Sequence, residues 1–129
     1  MKIELPVAPD MALSANQTHG RHYGSLSKMR KSAKEDMRRV AHCRAAEENW
    51  VCPEVAILHM TFQFSDNIRR DLDNVISACK PWIDGLVDAG VIKDDDMAHL
   101  LLGKVEARVG ASAKTVIEVE AIWTAPTTG

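Results

Sequence analysis

The sequence predicts an α+β domain: a small mixed or antiparallel β-sheet with two main helices packed on it. Three observations carry this. Alternating apolar residues recur in separate short runs near both ends and in the middle of the chain. Two stretches between those runs place apolar residues at helical spacing instead. No internal repeat, low-complexity segment or linker divides the 129 residues, so one domain spanning 1–129 is expected.

Residues 2–7 put Ile3, Leu5 and Val7 on one side, a short strand. Pro6 and Pro9 make it an edge or a strand end, because proline has no N–H for a ladder. Residues 10–24 are rich in Ser, Asn, Gly and His and read as a loop. Ser25 or Ser27 is placed to cap a helix running to about Asn49, with a thin apolar stripe of Met29, Ala33, Met37, Val40 and Ala41. After Pro53, residues 54–64 set Ala56, Leu58, Met60, Phe62 and Phe64 against His59, Thr61 and Gln63, the clearest strand in the chain.

A second helix is predicted from about Asn74 to Ala89. Val75, Ile76, Cys79, Trp82, Ile83, Leu86 and Val87 share one side, and Gly90 supplies the C-terminal stop. Pro81 removes one helical hydrogen bond, so a kink or a displaced first turn is expected there. Residues 97–102 read as a helical turn or part of a strand. Val105, Ala107, Val109 and then Ile117, Val119, Ala121, Trp123 alternate around Gly110–Ala113, which predicts a β-hairpin. Residues 124–129 are expected to fray.

The chain has 16 Lys+Arg against 18 Asp+Glu, 46% apolar and 26% charged residues, an ordinary soluble composition. No run approaches the ~18 apolar residues of a membrane span, and MKIELPVAPDM lacks a signal peptide's apolar stretch. The three cysteines, Cys43, Cys52 and Cys79, fit no C-x-x-C pattern. They predict a reduced, cytoplasmic protein with buried or inert thiols.

The near-neutral balance hides segregation. Residues 21–44 hold eight basic residues, among them Lys28, Arg30, Lys31, Lys34 and Arg38, against Glu35 and Asp36 alone. Asp84–Asp96 holds five aspartates against Lys93. A basic segment beside an acidic knot can attract a polyanion and hold a cation against it. The plain alternative is a solvated helix face.

The chemistry is concentrated in residues 69–96. In extended backbone the carboxylates of Asp71 and Asp73, two apart, point the same way and repel unless a cation or proton intervenes. Hard oxygen donors without nearby Cys or His suit Mg²⁺ or Mn²⁺, completed by phosphate oxygens and water. On a regular helix, Asp73, Ser77, Lys80 and Asp84 share one polar edge. Lys80 is there placed to neutralise charge developing on a phosphate oxygen. Against this, Asp73 or Asn74 serves equally well as a helix N-cap, and Asp94–Asp96 as a solvated turn. His19 and His22 form an i, i+3 pair with no third ligand, and His59 lies on the polar strand face.

Read together, Asp71-Leu72-Asp73-Asn74, Lys80-Pro81, Asp84-Gly85-Leu86, Ala89-Gly90 and Asp94-Asp95 resemble the RusA family of Holliday-junction endodeoxyribonucleases, many of them encoded by phages and prophages. The likeness spans residues 69–96. A weaker similarity takes in Leu13-Ser14-Ala15-Asn16, the basic helix and the C-terminal strands. The resemblance implies a RusA-like fold and a homodimeric, Mg²⁺-dependent nuclease placing paired cuts in four-way or branched DNA, with roles in recombination and repair.

By position, Asp71, Asp73 and Asp95 match the family's metal-binding carboxylates and Lys80 its catalytic lysine. Asp94 substitutes if the register shifts by one. Some members carry the lysine where Ser77 stands here; a three-residue insertion keeps Lys80, Asp84 and Gly90 aligned. Asn16, Lys28, Arg30, Lys31, Lys34, Arg38, Arg69 and Arg70 are the candidate contacts to DNA phosphates. Two other readings compete: a branched-DNA-binding module of the same fold that has lost turnover, and an interaction protein whose acidic loop binds Ca²⁺.

Overall fold

The computed structural model describes residues 1–14 and 23–123. Its organising element is the strand β2 (Val55–Phe64), whose strict alternation buries Ala56, Leu58, Met60, Phe62 and Phe64 and leaves the intervening residues half-buried. Burying a side chain such as Phe62 contributes about 1.5–3 kcal/mol, so this register is strongly specified.

Four strands form one mixed sheet: β1 (Lys2–Leu5), β2, β3 (Leu100–Val109) and β4 (Lys114–Ile122), in the spatial order β1-β4-β2-β3. β4 pairs antiparallel with both β1 and β2, whereas β3 runs parallel to β2. Ile3 and Leu5 of β1, the even residues of β2, and Thr115, Ile117 and Val119 of β4 make one continuous buried face. Among the described residues, helices α1 (Tyr23–Glu48), α2 (Leu72–Ala78) and α3 (Lys80–Asp88) and a 3-10 turn at Met11–Leu13 make up the remaining regular structure. The architecture is therefore α+β, two helical segments packed on a small mixed sheet. No helix among the described residues is long and apolar enough to cross a membrane.

Several expectations are corrected. The C-terminal strands exist, but they are not a hairpin: β2 lies between them. Alternation specifies a strand and its buried face, not its neighbour. The segment joining β3 to β4 steps across the end of β2, where Gly110 N–H donates to Phe64 O at 2.9 Å and Gln63 Nε2 to Ser112 O at 2.6 Å. Because β2 and β3 are parallel, the chain between them must cross over, and α2, α3 and the acidic loop make that crossover. Within 97–102 both readings hold in turn, since Leu100 N–H bonds Asp96 O at 3.0 Å just as the strand begins.

The second helix starts earlier than predicted, at Leu72, and breaks at Cys79. Pro81 then sits in the first turn of α3, where its missing N–H costs nothing. The N-cap of α2 is Asp71, not Asp73 or Asn74. Asp73 is consequently helical, so the expectation that it and Asp71 flank an extended residue fails. On α1, Leu26, Met37 and Ala41 are buried while Val40 stays exposed, narrowing the predicted stripe. The helix starts at Tyr23, ahead of the predicted caps. Cys79 is buried, which pushes its thiol far up, while Cys43 and Cys52 are exposed; all three are free.

Candidate functional site

The crossover carries the acidic candidates. Asp71 has extended backbone (φ −80°, ψ 137°), and its carbonyl accepts from Asn74 and Val75 N–H at 3.1 and 3.2 Å. Its carboxylate makes no capping bond and stands 3.7 Å from the Arg69 guanidinium. Asp73 occupies the first turn of α2, where the helix dipole favours a negative charge.

Lys80 opens α3. Its ammonium donates to Asp84 Oδ1 at 2.9 Å, one turn along, and to Asp95 Oδ2 in the acidic loop. That loop is placed by what precedes it. Gly90 adopts φ +75°, its N–H donating to Val87 O and that of Val91 to Leu86 O, both at 3.0 Å, a Schellman close to α3. Val91 and Ile92 are buried, and Trp50 Nε1 donates to Val91 O at 2.9 Å. Asp95 N–H then bonds Asp94 Oδ1 at 2.8 Å.

Across from Lys80 lies α1. Arg30, Lys31 and Lys34 join Ser77, Lys80 and Asp84 in lining one groove of about 740 Å³. The break at Cys79 leaves Asp73 outside this lining, so three of the four residues predicted to share a polar edge do so. Lys34 also reaches Asp88 at 3.4 Å. Lys28 lines an adjoining hollow with Ala78 and Trp82.

Arg38 and Arg70, both predicted phosphate contacts, are held by close hydrogen bonds within the protein. Arg38 grips Glu35 through Nε at 2.9 Å, holding that carboxyl below its usual range. Arg70 pairs with Asp66 at 2.8 Å, donates to Ile68 O at 3.0 Å and lies 3.9 Å above the Phe64 ring. Only 16% of its side chain is exposed, against 93% for Arg69. Arg70 thus fastens the start of the crossover to the end of β2. Asn16, His19 and His22 lie outside the described residues, as does the 124–129 tail.

Asp71, Asp73 and Asp95 are not the side chains that form a compact ligand group among the described residues. The grouping that does form is Asp94, Asp96 and His99, with one donor atom from each within 4.8 Å of the others. His99 Nδ1 lies 2.5 Å from Asp96 Oδ1, which draws the Asp96 carboxyl below its usual range. His99 was missed in the sequence; its only signal is the three-residue spacing after Asp96. A second omission is Ser14. Its hydroxyl is fully buried without a partner among the described residues, at a groove shared with Arg69, Asp71 and Asn74.

His59 has a structural task. Its Nδ1 accepts from Lys104 N–H at 3.0 Å and its Nε2 meets Glu120 at 2.9 Å, so the neutral Nε2–H form fits both partners. It fills the β-bulge where Leu58 pairs with Leu102 but Met60 with Val105.

No family model matches the chain, and no curated protein matches it.

Proposed function

We propose that the chain is a Mg²⁺-dependent, structure-specific endodeoxyribonuclease that resolves Holliday junctions and other branched DNA by paired phosphodiester cleavage. In this reading it works as a homodimer in the cytoplasm, on recombination and repair intermediates, as the RusA-like motifs imply. The observation that carries it is the joining of Lys80 to Asp95, 15 residues on, beside a groove that the α1 cations also line.

The donor set fits a hard cation. Asp71, Asp73 and Asp95 offer carboxylate oxygens, and the Asp71 carboxylate is not used for capping. By position they would be the residues to hold Mg²⁺, with Mn²⁺ as a substitute. Such an ion would supply an activated water and charge neutralisation at the phosphate. Arg30, Lys31 and Lys34 seat the sugar–phosphate strand along the groove. The Lys80 ammonium, at the groove, is the cation to meet negative charge developing on the phosphate. Arg69 flanks the cut.

The test is cleavage of a mobile four-way junction with Mg²⁺ and with EDTA. Wild type should cut only with the metal, and Asp71→Asn should bind the junction at least as tightly yet leave it whole. Cutting by Asp71→Asn at the wild-type rate would overturn the assignment. A second reading, a branched-DNA-binding module without turnover, draws on the same contact: the Lys80 ammonium already neutralises Asp95. It predicts junction binding with no cleavage in either Mg²⁺ or Mn²⁺.

A further inference from the structure

Strand β3 is an anomaly in this fold. It is ten residues long and lies at the sheet edge, yet only Leu100 and Val105 are even half-buried. Its other residues are exposed, including Leu102 at 53% and Val109 at 60%. A long apolar edge with unpaired backbone groups is a template for another strand. The bulge at His59 disturbs only its first half.

The second half is regular, and its hydrogen-bonding direction is determined. Gly110 N–H points inward to Phe64 O. In a parallel pair the backbone groups of successive residues point alternately to the two sides. Those of Arg108 and Glu106 therefore face β2, and those of Val105, Ala107 and Val109 face outward. Side chains alternate as well. Val105, Ala107 and Val109 stand on the helix-bearing face of the sheet, level with Met60, Phe62 and Phe64. Glu106 and Arg108 stand on the open face.

We propose that the outer edge of β3 pairs antiparallel with β3 of a second copy, about a two-fold axis through Ala107. This register is self-complementary at every level. Ala107 exchanges hydrogen bonds with its counterpart, and Val105 with the counterpart of Val109, so each outward N–H and C=O of this half is used. On the open face Glu106 comes opposite Arg108 twice over, in the close, non-hydrogen-bonded positions. On the other face Val105 meets Val109, covering apolar surface that the described residues leave exposed. Registers centred on Glu106 or Arg108 set that side chain opposite its own counterpart, like charge against like. Centring on Val105 runs into the bulge.

Such a pairing joins the two sheets into one. Its axis is perpendicular to the sheet, so both helical layers, and both Lys80 grooves, lie on the same side. That places two sites to face one branched substrate. The inference rests on the homodimer in the reading above but not on its chemistry, and it is tested without DNA or metal.

The experiment is solution mass by light scattering across a protein concentration series. Wild type should have twice the 14.2 kDa chain mass. Ala107→Pro removes an outward N–H that β2 does not use, so the subunit should keep its circular dichroism while dimerisation weakens at least about tenfold. Glu106→Arg and Arg108→Glu should each weaken it similarly, by setting like charges opposite one another. The double exchange, Glu106→Arg with Arg108→Glu, should restore the dimer. A monomeric wild type, or a dimer indifferent to all three single changes, overturns the proposal. Either result leaves junction cleavage to be judged by its own assay.

Discussion

Gly85 presses its bare Cα against the backbone carbonyl of Lys34. A Cβ at this position would stand 2.5 Å from that oxygen and 2.8 Å from Met37 Cβ. The α1–α3 crossing therefore leaves no room for a Cβ here, and it sets Lys34 and its neighbours over the groove that Lys80 opens onto.

Gly85→Ala should force the two helices apart. Overpacking of this kind costs about 1–3 kcal/mol, read as a lower melting temperature, and weakened junction binding should accompany it. Gly90→Ala is the contrasting case. Nothing lies within 4 Å of a Cβ there, but φ is +75°. Its cost should be about 1 kcal/mol of backbone strain alone, with the groove unchanged.

Lys80→Met removes the ammonium from Asp84 and Asp95 without shortening the stem. Single-turnover cleavage should fall by about 10²–10³, with little loss of junction affinity. Equal loss of binding and cleavage would mean that Lys80 only seats the DNA.

The basic residues should separate into two groups. Lys31→Ala and Lys34→Ala should each weaken junction binding and reduce the salt slope by about one unit, with stability unchanged or slightly lower. Arg70→Ala should do the reverse. Losing Asp66 and the Phe64 ring face costs about 1–2 kcal/mol of stability, while the salt slope of binding stays as in wild type. The readouts are fluorescence anisotropy across a salt series and thermal melts.

Acid should destabilise the fold through surface pairs. Hydrogen bonds from Arg70, His99 and Lys93 hold Asp66, Asp96 and Glu54 below their usual range. A lowered carboxyl favours the folded state above its unfolded pKa, and that contribution disappears as pH drops through the folded value. Melting temperature should thus decline as pH falls below the ordinary 3.8–4.5 of these groups. Asp66→Asn should show a smaller decline. The effect is small for each pair, because all are solvent-screened.

Local sequence patterns determined much of this protein. Alternation in β2 specified its buried face, Gly90 ended α3, and Pro81 displaced a helical turn. These are properties of single segments, set by side-chain period and backbone freedom. The motif residues between 69 and 96 were legible for the same reason, since their spacing lies within one stretch of chain. Partnership was decided only by the tertiary structure. That β3 and β4 flank β2 instead of pairing, that Arg70 lies on Phe64 and not on solvent, that Lys80 reaches Asp95, and that Asp94 and Asp96 gather His99 all depend on which surfaces meet. Strand order and side-chain pairing are resolved by burying the whole apolar face at once, a sum over the entire chain that no local window contains.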